Sequence, residues 1–170
     1  MVEIKLDPTE KRIAYLVAKK VTDENKSFGN AQRVDKKVSQ LEADYEAFMA
    51  EMAVCKYLDV YPKYLFRDFV PSIAAGTDVG DINYKNIAID VKHTRYKTGR
   101  LIAYKKNPRV DLLILVTGSG GEYTIVGGMQ AKDFYVKERF TKPKNFAKAC
   151  FVADQKELTP VDKIILDMVA

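Results

Sequence analysis

Apolar and polar positions alternate most cleanly over residues 80–92, from Gly80 to Lys92. A period of two predicts a β-hairpin. Its turn is centred on Lys85 and Asn86, because asparagine tolerates the left-handed backbone that tight hairpins require. That register sets Tyr84 against Ile87, Asn83 against Ala88, Ile82 against Ile89 and Asp81 against Asp90. One face carries Ile82, Tyr84, Ile87, Ile89 and Val91 and can anchor the hairpin on a core. The other face carries Asp81, Asp90 and, two positions on, Lys92.

Helical periods flank this hairpin. Asp7, Pro8, Thr9 and Glu10 read as a helix start, with Asp as the cap, Pro at the first helical position and Glu three residues after the cap. Ile13, Leu16 and Val17 supply its apolar stripe, and it is expected to end near Lys20. Residues 22–37 have no strong period. A longer helix is expected from Val38 to Leu58, burying Leu41, Tyr45, Phe48, Met52 and Cys55 and stopped by Pro62. Pro71 to Gly80 reads as a loop of small residues. Beyond the hairpin, Asp111 to Val116 is an unbroken aliphatic run, expected as a buried central strand. Gly118 to Gly121 turns it into a partner strand over Tyr123 to Gly127, and Cys150 to Val152 reads as a short strand. Thr159 and Pro160 are expected to cap a terminal helix carrying Val161, Ile164, Ile165 and Met168. Helices, three or four strands and a closing helix fit an α/β sandwich around a mixed sheet.

Composition adds limits. At 170 residues, 47% hydrophobic and 30% charged, the chain reads as one soluble domain with room for a core. No apolar region follows Met1 to Lys5, and the longest aliphatic run, Leu112 to Val116, is far too short to span a bilayer. A cytoplasmic protein without a membrane partner is the expectation. Cys55 and Cys150, with no CxxC pair and no histidine cluster, read as buried thiols rather than zinc ligands. The net charge of +5 is concentrated in one strip. From Lys92 to Arg109 there are seven basic residues (Lys92, Arg95, Lys97, Arg100, Lys105, Lys106, Arg109) and no acidic one, with Tyr96 and Tyr104 among them. Such a strip suits a polyanion backbone.

Opposed aspartates repel unless a cation or a proton lies between them. A divalent metal beside a lysine accounts for Asp81, Asp90 and Lys92 together. Two glutamates of the long helix are candidates to join them. Glu46 and Glu51 lie about 140° apart around the axis, so one site can hardly use both. Glu51 borders the buried stripe, where a carboxylate needs a partner, and is preferred as a third acidic ligand or water-positioning group; a half-exposed Glu51 paired with Lys56 or another base is the structural alternative. Glu46 falls on the more solvated side. His93, the only histidine, points away from Lys92 on a strand and is read as structural.

An acidic helix, then Asp81, then Asp90-Val91-Lys92 on the second strand of a hairpin, resembles the PD-(D/E)xK nuclease superfamily. The run Ala50 to Leu58 looks like the G-E-L-A segment of phage-type members, and Ile89 to Thr94 looks like their V-D-V-K-T-T strand. The resemblance covers residues 41–128. Ala50 replaces a glycine, and no proline precedes Asp81. Asp78 is an alternative first aspartate. The resemblance implies a restriction-endonuclease-like core over 38–128, behind an N-terminal helical extension (1–37) and ahead of a strand and helix closure (129–170). It implies Mg²⁺-dependent hydrolysis of phosphodiester bonds, Mn²⁺ substituting, with DNA the preferred partner. Asp81, Asp90 and the Val91 carbonyl would hold the metal, Glu51 would complete the acidic cluster and Lys92 would act on water or phosphate. Arg95, Lys97, Arg100, Lys105 and Lys106 would track the nucleic acid, and a homodimer is a common arrangement for cutting two strands. The rivals are a non-catalytic nucleic-acid-binding module, a viral protein-interaction factor and a metal-binding structural protein with no nucleic-acid role; the expected location is the cytoplasm, that of the host if the chain is viral.

Overall fold

The computed structural model describes residues 1–27, 38–60, 80–144 and 146–170, with side chains of the first segment described through Asp23. Asp78, Pro62 and nearly all of the expected loop before Gly80 lie outside these residues. Asp7 and Glu10 form the expected capping box at the start of the first helix, α1 (Pro8–Ser27). Asp7 Oδ1 accepts the Glu10 N–H at 2.8 Å, and Glu10 Oε2 accepts the Asp7 N–H at 2.6 Å. The helix continues past Lys20, and its buried face differs from the expected stripe. Glu10, Ala14, Ala18 and Thr22, spaced by four, are buried, while Leu16 is 57% exposed. Small side chains bring α1 close to the second helix, α2 (Gln40–Tyr57). Thr22 Oγ1 donates to Asp44 Oδ2 at 2.7 Å, and Tyr15 meets Tyr45 edge to face.

Lys56 of α2 pairs with Glu10 at 3.0 Å and also donates to the Lys5 carbonyl, so the alternative pairing of Lys56 with Glu51 is replaced by a helix-to-helix tie. Glu10 thus caps one helix and holds another. Glu10→Ala is expected to cost about 2 kcal/mol of unfolding free energy in urea, the sum of a lost cap and a lost partly exposed ion pair. Glu10→Gln, which can still accept the Asp7 N–H, should recover about half of that loss. Equal losses for the two variants would place the effect in the charge alone.

Ser39 caps α2 by accepting the Glu42 N–H at 3.1 Å, so the helix starts at Gln40 rather than Val38. Met52 and Cys55 of the expected stripe are buried, but Leu41, Tyr45 and Phe48 are only half-buried. The C-terminal half is enclosed on several sides, by Met49, Ala50, Ala53 and Val54 as well. Asp59 ends the helix in a left-handed conformation, φ 55°.

The main sheet is mixed. Its strands are β1 (Val2–Lys5), β2 (Ile82–Tyr84), β3 (Ile87–Thr94), β5 (Leu112–Ser119) and β6 (Glu122–Gln130), in the order β1-β6-β5-β3-β2. Among the described residues only the β3–β5 pair of this sheet is parallel. The expected central strand is β5, buried from Leu112 to Thr117. Its parallel register is pinned by Asp111, whose N–H donates to the Ala88 carbonyl and whose Oδ2 accepts the Ala88 N–H, each within 2.9 Å. The segment expected as an N-terminal helical extension also supplies an edge strand, β1, paired antiparallel with β6.

A second, three-stranded sheet has the order β4-β8-β7, from β4 (Leu101–Ala103), β7 (Phe140–Thr141) and β8 (Cys150–Ala153). The expected strand at Cys150 therefore leaves the main sheet, and β4 arises inside the basic strip. One turn of helix, α3 (Ala131–Phe134), follows β6, and α4 (Val161–Val169) closes the chain. No side chain caps α4; Pro160 occupies its cap position, and Thr159 instead exchanges backbone bonds with Gly128 at 2.8 and 2.9 Å. Helices α2 and α4 cover one face of the main sheet over Ile89, Val91, Leu112, Ile114 and Val116. The small sheet and α3 cover the other over Leu113, Leu115 and Val126. No helix among the described residues is long and apolar enough to cross a membrane.

Candidate active site

The hairpin register places the chemistry. Tyr84 pairs with Ile87, Asn83 with Ala88 and Ile82 with Ile89, and Lys85 and Asn86 both take positive φ, 50° and 65°. The ladder stops there, one pair short of the expected Asp81–Asp90 opposition. The chain bends at Gly80, at φ 94°, where a Cβ would lie 2.8 Å from the Ile89 carbonyl. Asp81 then keeps a backbone bond to that carbonyl, and its Oδ2 accepts the Val91 N–H at 2.6 Å. A side chain thus takes the place of a strand at the open edge of β3. The Val91 carbonyl faces the same edge, because N–H and C=O of one strand residue point to the same side.

Along β3, Ile89 and Val91 enter the core under α2, and Asp90 and Lys92 point to the opposite face beside Leu113 and Leu115. Asp90 is 8% exposed and accepts the Lys92 ammonium at 2.7 Å. Burial, and next the charge of Asp90, raise the Asp81 carboxyl to about 8 against the restraint of the Val91 N–H. Glu51 reaches the same cluster from α2. Burial pushes its carboxyl well above the ordinary range, with Asp81 and Asp90 adding to the effect and Lys92 opposing it. Burial favours the neutral Lys92 amine, but Asp90, Asp81 and Tyr135 outweigh it and raise Lys92 above its ordinary value.

Glu51, Asp81, Asp90 and Lys92 are therefore one electrostatic unit. Among the described residues no three acidic, histidine or cysteine side chains converge in a ready metal-binding geometry. The donor set nevertheless suits a hard divalent cation, which takes carboxylate, carbonyl and water oxygens. Burial and neighbouring carboxylates drive two carboxyls of this unit, Glu51 and Asp81, toward their neutral forms.

Asp90, Val91 and Lys92 line a groove of about 1200 Å³ running between the main sheet and the small one. Arg100, Lys105, Lys106 and Arg109 line it too, together with Tyr96, Tyr104, Tyr135 and Phe146. Arg95 lies on a neighbouring pocket of about 320 Å³ with Glu42, Glu46 and His93. Lys97 lines neither; its carbonyl and that of Gly99 accept the Gln155 side-chain amide at 2.7 and 2.8 Å, which ties the basic loop to the C-terminal region. Glu51 and Asp81 do not line the groove; Asp81 sits at the β3 edge on the Val91 N–H.

Glu46 has a different task. Its carboxylate accepts the Tyr123 hydroxyl at 2.7 Å and the Gly120 N–H at 3.1 Å, tying the β5–β6 turn to α2. His93 Nε2 meets the Gly118 carbonyl at 2.8 Å and its ring packs edge to face on Tyr123, in keeping with its structural reading. Tyr135 and Phe146 were not candidates in the sequence, since residues 130–148 show no period that would place them across from β3. No protein-family model, curated protein or solved structure matches this chain.

Proposed function

We propose that this protein is a metal-dependent nuclease, hydrolysing phosphodiester bonds of nucleic acid with DNA preferred, on a restriction-endonuclease-like core. The observation that carries the reading is the Asp90–Lys92 pair, backed by Glu51 and Asp81, opening into a groove lined by Arg100, Lys105, Lys106 and Arg109. Acidic groups able to hold a cation beside basic groups able to hold a polyanion suit a site that brings a phosphate chain to a metal.

Asp81, Asp90, the Val91 carbonyl and Glu51 would hold Mg²⁺, or Mn²⁺ in its place. When bound, such an ion polarises a phosphoryl oxygen and acidifies a water. The groove cations neutralise neighbouring phosphates and hold the chain in line with that site. Lys92, kept charged by Asp90, sets a fixed ammonium where negative charge grows on the phosphoryl group as water adds and the ester oxygen departs. Its tether to Asp90 leaves little reorganisation for the reaction to drive.

The test incubates the purified protein with end-labelled DNA and RNA, single- and double-stranded, in Mg²⁺, Mn²⁺ or EDTA. Cleavage with either metal that EDTA abolishes is the expected result. Absence of cleavage on every substrate, with binding indifferent to metal, would leave a non-catalytic nucleic-acid-binding module as the better reading.

A further inference from the structure

The groove carries more aromatic surface than a phosphate track requires. Tyr96 is 69% and Tyr104 52% exposed, the two most exposed tyrosines among the described residues, and both lie on the wall that carries Arg100 and Lys105. Exposed aromatic rings of this size are not held there by the core. Tyr135 and Phe146 line the same groove. The charge of the lining is one-sided: Lys92, Arg100, Lys105, Lys106 and Arg109 against Asp90 alone. Cations alternate with rings in sequence as well, as Tyr96 and Lys97 are followed by Arg100 and then by Tyr104, Lys105 and Lys106.

We infer that the segment of nucleic acid crossing this groove is single-stranded, its phosphates on the basic side chains and its bases stacked on Tyr96 and Tyr104. This rests on the nucleic-acid reading of the site and names the form of the substrate. The physical ground is that a paired base presents its faces only to its stacked neighbours. A duplex offers a protein phosphates and groove edges, and exposed tyrosines add little to holding those. An unpaired strand offers the π-face of every base, and aromatic side chains interleaved with cations hold it with little regard to sequence. The neighbouring pocket strengthens the assignment. Tyr96, Thr94, His93 and Ala43 line both cavities, so Tyr96 stands on the rim where a base can leave the main groove. At about 320 Å³ that pocket can take an unstacked base, and Glu42 and Glu46 bring carboxylates to its wall.

The experiment measures binding in EDTA, so that no strand is cut, by fluorescence anisotropy of a labelled 20-nucleotide strand and of the same sequence as a blunt duplex. Wild type is expected to bind the single strand at least tenfold more tightly. Tyr96→Ala and Tyr104→Ala should each weaken single-strand binding by about tenfold, with duplex binding unchanged, and the Phe variants should bind like wild type because a benzene ring stacks equally well. Lys105→Ala should weaken both forms and lower the salt dependence, as loss of a phosphate contact does. Both tyrosines are exposed, so unchanged melting temperatures should accompany the Ala variants. Equal or tighter binding of the duplex, or single-strand binding indifferent to both Ala variants, would overturn the inference and leave the nuclease reading standing. Binding of neither form would overturn both.

Discussion

Asp90→Asn is expected to lower cleavage by about 1,000-fold or more while leaving nucleic-acid binding intact or slightly tighter. The side chain is nearly isosteric, sits on a strand whose neighbours Ile89 and Val91 are locked in the core, and can still accept the Lys92 ammonium. What it loses is charge. A carboxylate holds a divalent cation through an ionic bond that a neutral amide replaces poorly, so the variant should lose metal affinity by calorimetry. Binding should survive because removing a negative group from a groove of cations lowers repulsion of the phosphates. Lys92→Gln is the contrasting variant. It removes the ammonium that the proposed mechanism sets at the reacting phosphate but none of the oxygen donors, so its rate should fall while its metal affinity holds or rises. If both variants lost metal affinity equally, Lys92 would be organising the acidic cluster and not the phosphate. If Asp90→Asn cleaved at the wild-type rate, the acidic cluster would have no part in catalysis.

The hairpin shows how much of this site can be read from residue order. Lys85 and Asn86 fix a two-residue turn, and that turn fixes every pair outward to Ile82 and Ile89 by counting. Alternation then assigns Asp90 and Lys92 to one face and Ile89 and Val91 to the other. The same counting fails one step later, because Gly80 redirects the chain and Asp81 uses its side chain where the next backbone bond would be. Glu51 was placed by its apolar neighbours on a helix, a local property. The structural partners of Glu46 were out of reach for a non-local reason: Tyr123 and Gly120 arrive from a turn more than seventy residues on. The far wall of the groove was illegible for the same reason. Tyr135 and Phe146 lie in a stretch without period, and β4 hides as three apolar residues in a basic strip. The buried face of α1 escaped notice because Ala14 and Ala18 are small, and a stripe is usually sought among large side chains. Four-residue β1 has too few positions for alternation to stand out.

The metal-free protein is expected to become less stable as pH rises from 5 to 8.5, the reverse of a protein whose carboxylates are paired with cations. Asp81 is raised to about 8 in the folded chain, and Glu51 is also raised, both chiefly by burial and then by neighbouring carboxylates. An unfolded carboxyl titrates near 4. The folded state therefore binds more protons than the unfolded state between those values, and by linkage stability falls with pH across that window. The stabilisation is complete below about pH 4 and is lost as pH passes through about 8. Other shifted groups act elsewhere. Glu122 and Glu157 are lowered and lose their contribution only in acid, while Lys92 is raised and loses its contribution only in strong base. Thermal unfolding in EDTA should show a melting temperature lower by about 5 °C or more at pH 8.5 than at pH 5. Asp81→Asn removes one of the two raised carboxyls and keeps an oxygen for the Val91 N–H, so its profile should fall less steeply than that of wild type, with Glu51 still titrating, and its melting temperature should lie above wild type at pH 8.5. Mg²⁺ or Mn²⁺ should raise the wild-type melting temperature at pH 8.5 and much less at pH 5, where protons compete for the same oxygens. A wild-type profile that rose with pH would mean that the three carboxyls are not held together in the folded protein. A falling profile that metal left unchanged at pH 8.5 would mean that they are held together for some purpose other than a cation.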